Sequence, residues 1–468
     1  MLTIPRSLAR RVRAVFKRAF GGSRRDELHV RLCATPGALC IRAVSHDVAV
    51  EHRLAGDFQP CEIIVPLDLL ADCEAKSEDL VSFETTDDSR VVARWDDRGI
   101  PQQRAVQQPV KLPEFPPPSS GETATNEPGL LKALVDAGAT TDIESSRFAL
   151  GCIDVRGGTG RIAATDGRQL FVHNGFSFPW QGDVLVPASK VFASPELPAN
   201  QPVIVGQAGD WAMFAVGPWT IWLRINKDGR FPKIDDMIRP PVSARSRLQL
   251  TASDAEFATD VLKRLPLDVA GGRPVTLDLN GEAIVRTRPE STEVPTELVL
   301  CGSTVAGDPI RLVTSAVYLR RALTLGFNKV DLFGPEASLQ ASDDRRHYIW
   351  MPFSAEGAVQ PHAESHRILS SNNASPASSC HLRRVTPKSR VSTENSNPIP
   401  NPRVVSPMPE TKTESNASPI EQAVALRSSL RESLVKTNEL LRALKRQRQR
   451  SRHVESTLAA LKQLQKVA

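Results

Sequence analysis

No uninterrupted apolar stretch in this chain of 468 residues approaches the ~20 needed to span a bilayer. The N-terminus also lacks the apolar core of a secretory signal, so a soluble protein with no membrane partner is expected. The seven cysteines (Cys33, Cys40, Cys61, Cys73, Cys152, Cys301, Cys380) include no CxxC pair and are odd in number. That excludes the usual zinc ribbons and disulfide scaffolds, and points to a reducing, cytoplasmic compartment. Catalytic signatures are missing as well. There is no GxxxxGK(S/T) phosphate loop, no HExxH and no GxSxG, while His46-Asp47 is a lone pair and Gly157-Gly158-Thr159-Gly160 reads as a turn. A non-enzymatic protein without metal or cofactor is expected. Acids are absent from the first 25 residues, which hold eight Lys/Arg, and residues 361–468 hold 18 Lys/Arg against eight acids. With a net charge of +6 overall, the stretch between these ends is acidic. Such a layout suits contact with a polyanion through selected elements; solvated basic tails, or a transit peptide at the N-terminus, are the plainer alternatives.

What is present is 40% hydrophobic and 24% charged, a globular composition of several domains. Three markers repeat along it with a period near 120. An apolar-Val-Pro/Thr step occurs at Ile64-Val65-Pro66, Leu185-Val186-Pro187 and Leu312-Val313-Thr314. An apolar-Pro step occurs at Phe115-Pro116, Phe231-Pro232 and Met351-Pro352. An amphipathic i, i+4 pair opens each unit: Leu8 with Val12, Leu130 with Leu134, Phe257 with Val261. The pattern within a unit reads helix, strands, helix, strands, an α+β arrangement. The clearest hairpin is Trp211–Ala215, a Gly217-Pro218 break, and Trp219–Ile225, with Ile221, Leu223 and Ile225 on one face. The expected domains are 1–118, 119–240 and 241–355. Residues 356–417, rich in Ser, Asn and Pro, read as a disordered linker, and Ser418-Pro419-Ile420-Glu421 caps a basic C-terminal helix over 418–468.

Particular residues then become specific. Arg161 to Leu170 carries a Thr165-Asp166-Gly167 turn. It is followed in order by Val184-Leu185-Val186-Pro187, Asp228-Gly229-Arg230-Phe231-Pro232, Tyr318-Leu319, and Tyr348-Ile349-Trp350-Met351-Pro352. This ordered set resembles the bacterial DNA polymerase III beta subunit, the replicative sliding clamp, over residues 1 to about 353. Two departures stand out: Arg168-Gln169-Leu170 replaces the family's usual His-Arg-Leu, and 116 residues follow Pro352.

The resemblance implies a DNA-clamp fold, with two three-domain protomers joined head to tail as a homodimeric ring. Helices would line the pore, and duplex DNA would pass through without covalent chemistry. It implies partners too: DNA polymerase III subunits, an associated 3'-5' exonuclease and the clamp loader, each held by a short peptide in a cleft between the second and third domains. By motif, that cleft comprises Leu150, Thr165, Gly167, Arg168, Leu170, Pro232, Met237, Tyr318, Ser338, Ile349, Met351 and Pro352. Such residues suit Leu/Phe peptide anchors, or alternatively form plain interdomain core. A clamp-fold paralogue outside replication, acting as a regulatory or interaction protein through its tail, is the second implied reading.

The N-terminal helix can be read without any family. Arg6, Arg10, Arg13 and Lys17 follow i, i+4, i+7, i+11 as a basic stripe, opposite Leu8, Val12, Val15 and Ala19. With Lys190, Lys263, Arg320 and Arg321 on later helices they are the candidate DNA contacts, aimed at phosphates because such contacts carry no sequence information. In the tail, Leu430, Leu434, Leu441, Leu444 and Leu458 form an interrupted coiled-coil seam around the basic run Lys445 to His453.

Overall fold

The computed structural model describes residues 1–21, 28–86, 90–109, 112–119, 121–143, 149–265, 267, 272–288 and 294–370. The expected linker after residue 370 and the expected C-terminal helix with its basic run lie outside the described residues.

Three units of alternating strands and helices follow one another. The first holds β1 (Leu2–Pro5), α1 (Arg6–Ala19), β2 (His29–Thr35), β3 (Ala38–Val44), β4 (Val48–Ala55), β5 (Cys61–Pro66), α2 (Leu67–Cys73), β6 (Leu80–Thr85), β7 (Arg90–Asp97) and β8 (Ile100–Gln107). The second holds β9 (Thr123–Asn126), α3 (Gly129–Gly138), β10 (Cys152–Arg156), β11 (Arg161–Thr165), β12 (Gln169–Asn174), β13 (Asp183–Pro187), β14 (Val203–Ala208), β15 (Trp211–Val216) and β16 (Trp219–Arg224). The third holds β17 (Ser246–Gln249), α4 (Ala252–Arg264), β18 (Pro274–Asn280), β19 (Glu282–Thr287), β20 (Thr296–Val299), β21 (Thr304–Gly307), β22 (Ile310–Ser315), α5 (Ala316–Thr324), β23 (Lys329–Leu332), β24 (Leu339–Ser342) and β25 (Arg346–Trp350). A last strand, β26 (His366–Leu369), follows the third unit.

Three features depart from the sequence reading. A short strand precedes the first helix of every unit and pairs with the strand after the second helix position, as β1 does with β6. These four-residue strands are too brief for alternation to reveal. The second helix of the middle unit is only a 3-10 turn, Lys190–Ala193. Ser189 accepts the Val191 N–H at its start, and Pro195 biases Ser194 away from helical geometry, so no second α-turn can grow. Third, residues 355–370 are not the beginning of a structureless linker. They hold a 3-10 turn (Ala355–Gly357) and β26, because a ladder of backbone bonds on a sheet edge makes no demand for apolar composition.

The strands form four sheets in the orders β1-β6-β7-β8, β5-β2-β3-β4-β16-β15-β14-β9, β13-β10-β11-β12-β25-β24-β23-β17-β21 and β22-β18-β19-β20-β26. The two long sheets cross unit boundaries, through the antiparallel pairs β4–β16 and β12–β25. Each unit is thus sewn to the next by hydrogen-bonded strands. The helices bury one stripe against these sheets. In α1, Leu8, Ala9, Val12, Val15 and Phe16 are buried, α1 packs on α2 and on the Lys190–Ala193 turn, and α4 packs on α5. The hairpin β15–β16 forms as the sequence predicts, with Gly217 at φ +55 in its turn and Ile221 and Leu223 in the core.

Candidate client groove and cationic helix face

The seam between the second and third units carries a groove. Across it β12 and β25 run antiparallel with Gln169 opposite Trp350 and Leu170 opposite Ile349, and the segment after β16 lies over this register. Ile234 of that segment packs with Ala163, Leu170, Val172 and Ile349, which leaves an opening of about 170 Å³ beside them. Eight of the twelve expected residues line it: Thr165, Gly167, Arg168, Leu170, Pro232, Met237, Ile349 and Met351. Leu150 sits directly behind, its Cδ1 3.9 Å from where a Cβ on Gly167 would be. Tyr318 is half-buried on α5 near Asp166 and Arg168, and burial pushes its phenol pKa up. Ser338 is buried just ahead of β24, and Pro352 follows the rim residue Met351; neither lines the opening.

The wall at the β11–β12 turn is built by hydrogen bonds. The Thr165 hydroxyl donates to the Gln169 carbonyl (2.6 Å) and accepts the Gly167 N–H (3.0 Å). Asp166 Oδ1 accepts the N–H groups of Arg168 (2.8 Å) and Gln169 (2.9 Å), an Asx turn that needs Gly167 at φ +88. Gln169 then links this turn to β25: its Nε2 donates to Asp166 Oδ2 (2.8 Å), and its Oε1 accepts the buried Tyr348 hydroxyl (2.6 Å). The opposite lip is pinned electrostatically. Asp235 accepts from Arg156 (2.9 Å) and Arg161 (2.5 Å), and the Arg156 hydrogen bond holds its carboxyl below the usual range. Asp154, buried beneath the same Arg156, is pushed up by burial. Arg239 closes the lip by receiving and giving backbone bonds with the Gln340 amide (2.9 and 3.0 Å). Met237 and Met351 are left at the rim, 39% and 42% exposed.

The corresponding seam between the first two units is filled. There Phe115 lies edge-on to Trp222 at 5.0 Å with the Arg42 guanidinium over its ring at 5.0 Å, and the neighbouring cavity is about 50 Å³.

The expected basic stripe is redrawn. Arg6 is 5% exposed and donates to the carbonyls of Cys73 (2.8 Å) and Asp96 (2.5 Å), so it is a buried tie and not a DNA contact. Arg13 is turned into a bidentate ion pair with Glu74. Arg10 and Lys17 are exposed as expected, and beside them the sequence reading missed Arg11 and Arg18. None of these four makes an ion pair among the described residues. The stripe from Arg6 to Lys17 runs along the border of the buried face, whereas the exposed face carries 10, 11, 17 and 18. Lys190 and Lys263 are exposed and Arg320 is partly so. Arg321 is instead a strut between units, donating to the Asp136 and Ala139 carbonyls (2.8 and 2.9 Å) and to the Thr140 hydroxyl (2.7 Å) with its guanidinium over Tyr348.

No family model matches the chain, and no curated protein matches it in sequence. Among solved structures, the DnaN sliding clamp of Pseudomonas aeruginosa bound to griselimycin superposes with a TM-score of 0.63 at 18% identity, covering 75% of this chain and 99% of that one. The DNA polymerase sliding clamp of Bacillus subtilis gives 0.63 at 15% identity, over 75% and 98%. The DNA polymerase beta subunit of Streptococcus pyogenes gives 0.61 at 12%, over 75% and 99%. This chain has the sliding-clamp fold. The three units, their shared sheets and the helix pairs account for nearly the whole length of those clamps, and a quarter of the present chain has no counterpart in them.

Within the clamp fold, four further residues line the groove: Gln169, Lys233, Ile234 and Trp350. Ile234 had a signal, an apolar residue two places after the Phe231-Pro232 step. Gln169 and Trp350 had none, since only the β12–β25 register brings them to the opening. The groove offers apolar walls, two exposed methionines and a few rim charges, which suits recognition of a side chain over chemistry. Among the described residues no group of three or more His, Cys, Asp or Glu gathers as a metal site.

Proposed function

We propose that this chain works as a sliding clamp: it encloses duplex DNA, holds polymerase and other client proteins by a short peptide in the groove at the β12–β25 seam, and catalyses nothing itself. The observation that carries the reading is the contrast between the two seams. The fold builds both alike, yet the first is plugged by Phe115 while the second keeps an apolar opening of about 170 Å³ with methionines at its mouth. An opening of that size takes a Leu or Phe anchor, as peptide-recognition grooves do. The cations on the outer face of α1, without ion pairs among the described residues, supply phosphate contacts of the sliding kind, which position DNA without reading it.

The test compares two substitutions by peptide anisotropy and thermal melting. Met351→Glu puts a charge at the exposed rim and is expected to abolish binding of a Leu/Phe-anchored peptide with little change in Tm. Ile349→Ala, at a position 1% exposed, is expected to lose about 2–5 kcal/mol of stability. Unchanged peptide affinity in folded Met351→Glu overturns the groove. The quarter of the chain without a counterpart in the clamps favours a second reading, a clamp-fold protein whose role outside replication runs through residues after 370. A chain ending at residue 370 that retains peptide and DNA binding but loses an added nucleic-acid affinity would support it.

A further inference from the structure

The seams follow a rule. The strand closing the first half of a unit, β4 or β12, pairs antiparallel with the strand closing the second half of the next unit, β16 or β25. Applied to what remains, the rule leaves two strands: β20, closing the first half of unit three, and β8, closing the second half of unit one. β8 is an edge strand, paired among the described residues with β7 alone, and its eight residues are largely exposed. β20 is not bare. Its outer edge is taken by β26 of the same chain, running parallel with Glu297 opposite Arg367 and Leu298 opposite Ile368.

We infer that β26 holds in cis the outer edge of β20, the edge at which, on the clamp reading, β8 of a second copy docks, so two copies join only by exchanging β26 for β8. This rests on the clamp reading for the meaning of the joint, and on the seam rule for its geometry.

The route of the chain supports a strand laid onto a pre-existing slot. After β25, Phe353 bonds to Val313 on β22, the Val359 N–H donates to Thr276 on β18 (2.8 Å), and only then does the chain reach β20. It crosses the sheet from one edge to the other. The His366 N–H donates to the Pro295 carbonyl (2.9 Å) and the Ser370 N–H to that of Val299 (3.0 Å), so the Ile368 N–H between them points the same way. The hold is also short. β26 has four residues, and Ile368 alone among them is half-buried while His366, Arg367 and Leu369 are exposed.

Release leaves no buried charge stranded. Arg286 and Arg311 already balance Asp278 and Glu297 in a cluster of which Arg286, Asp278 and Glu297 are buried. Arg367 adds only outer contacts, 3.4 Å to Glu297 and 3.2 Å to the exposed Glu282. The slot therefore stays electrically intact for another occupant. The parallel direction of β26, where both seams are antiparallel, marks it as a stand-in and not the occupant the rule calls for.

The experiment uses the full chain in two variants, measured by sedimentation at equal micromolar concentration. Arg367→Glu with Ile368→Pro removes an attraction and a ladder donor, and is expected to move the mass from that of one chain, 51.1 kDa, to twice that, with new amide protection confined to residues 100–107. Thr296→Cys with His366→Cys, in a Cys301→Ser background, locks β26 when oxidised and is expected to stay at one chain until reduced. A locked chain that dimerises, a released chain of unchanged Tm that remains single, or a dimer protected elsewhere than 100–107 overturns the inference. Peptide capture by the groove, read on the same samples, separates the two ideas: its loss with the mass change intact refutes the clamp reading and not the exchange, and the converse holds.

Discussion

At the scale of single residues, the side chains that shape the groove do so from beneath it. Gln169 never points a free group at a ligand; both ends of its amide are committed, to Asp166 and to Tyr348. Where the resembling family usually has His-Arg-Leu, this chain has Arg168-Gln169-Leu170, and the neutral amide is the group that lets the Tyr348 hydroxyl be buried with a partner. Gln169→Leu is expected to orphan that hydroxyl and cost about 1–3 kcal/mol in a denaturant titration, weakening peptide binding only in proportion to the lost turn geometry. Gln169→Glu would keep an acceptor for the Tyr348 hydroxyl but not rescue the turn at neutral pH, because a carboxylate cannot donate to Asp166 and would face it as a second negative charge.

At the scale of elements, α1 separates two kinds of arginine that sequence spacing merged. Arg6 and Arg13 serve the fold, the first through carbonyls near the end of α2 and in β7, the second through Glu74. Arg10, Arg11, Lys17 and Arg18 face outward without ion partners among the described residues. Reversing these four to Glu is expected to leave Tm nearly unchanged and to flatten the dependence of log K on log salt for duplex DNA by about 0.9 for every phosphate contact removed, whatever the DNA sequence. Arg6→Ala is expected to do the opposite, lowering Tm and leaving the slope alone. A slope unmoved by the outer four would show that this face does not meet DNA.

At the scale of the whole molecule, both seams between units carry histidines withdrawn from solvent, buried in the case of His52 and half-buried in the case of His173 and His347. His52 on β4 lies edge-on to Trp219 of β16, and burial brings its pKa down to about 4. His173 on β12 is likewise lowered to about 4 by burial, and His347 on β25 is lowered for the same reason. Each folds neutral and each takes up a proton near pH 6.5 once unfolded. The unfolded chain therefore binds more protons below that value, and stability must fall with pH from about 6.5 toward 4, by up to about 1.4 kcal/mol per pH unit for each of His52 and His173. Above pH 6.5 this contribution is flat. Denaturation curves between pH 7.5 and 4.5 read it directly, and replacing His52 and His173 by Gln should flatten the profile; an unchanged slope would remove these histidines as its cause.

The sequence by itself determined the repeat. Three markers at a period near 120 divided the body into three alike units, because the chemistry that ends a strand in Val-Pro or seats an amphipathic helix is local and survives great divergence. It determined eight groove residues for the same reason: the Thr165-Asp166-Gly167 turn and the Ile349-Trp350-Met351-Pro352 strand end are written in consecutive positions. Tertiary structure decided what depends on partners distant along the chain. Gln169 and Trp350 reach the groove through the β12–β25 register, Arg6 and Arg321 leave the basic face because carbonyls from other elements claim them, and the Lys190 helix stops at one turn before Pro195. The largest such decision is β26. Its composition carries no apolar pattern, so its order rests on the backbone ladder with β20, about seventy residues earlier, to which only the packing of Ile368 and the outer ion pairs of Arg367 are added.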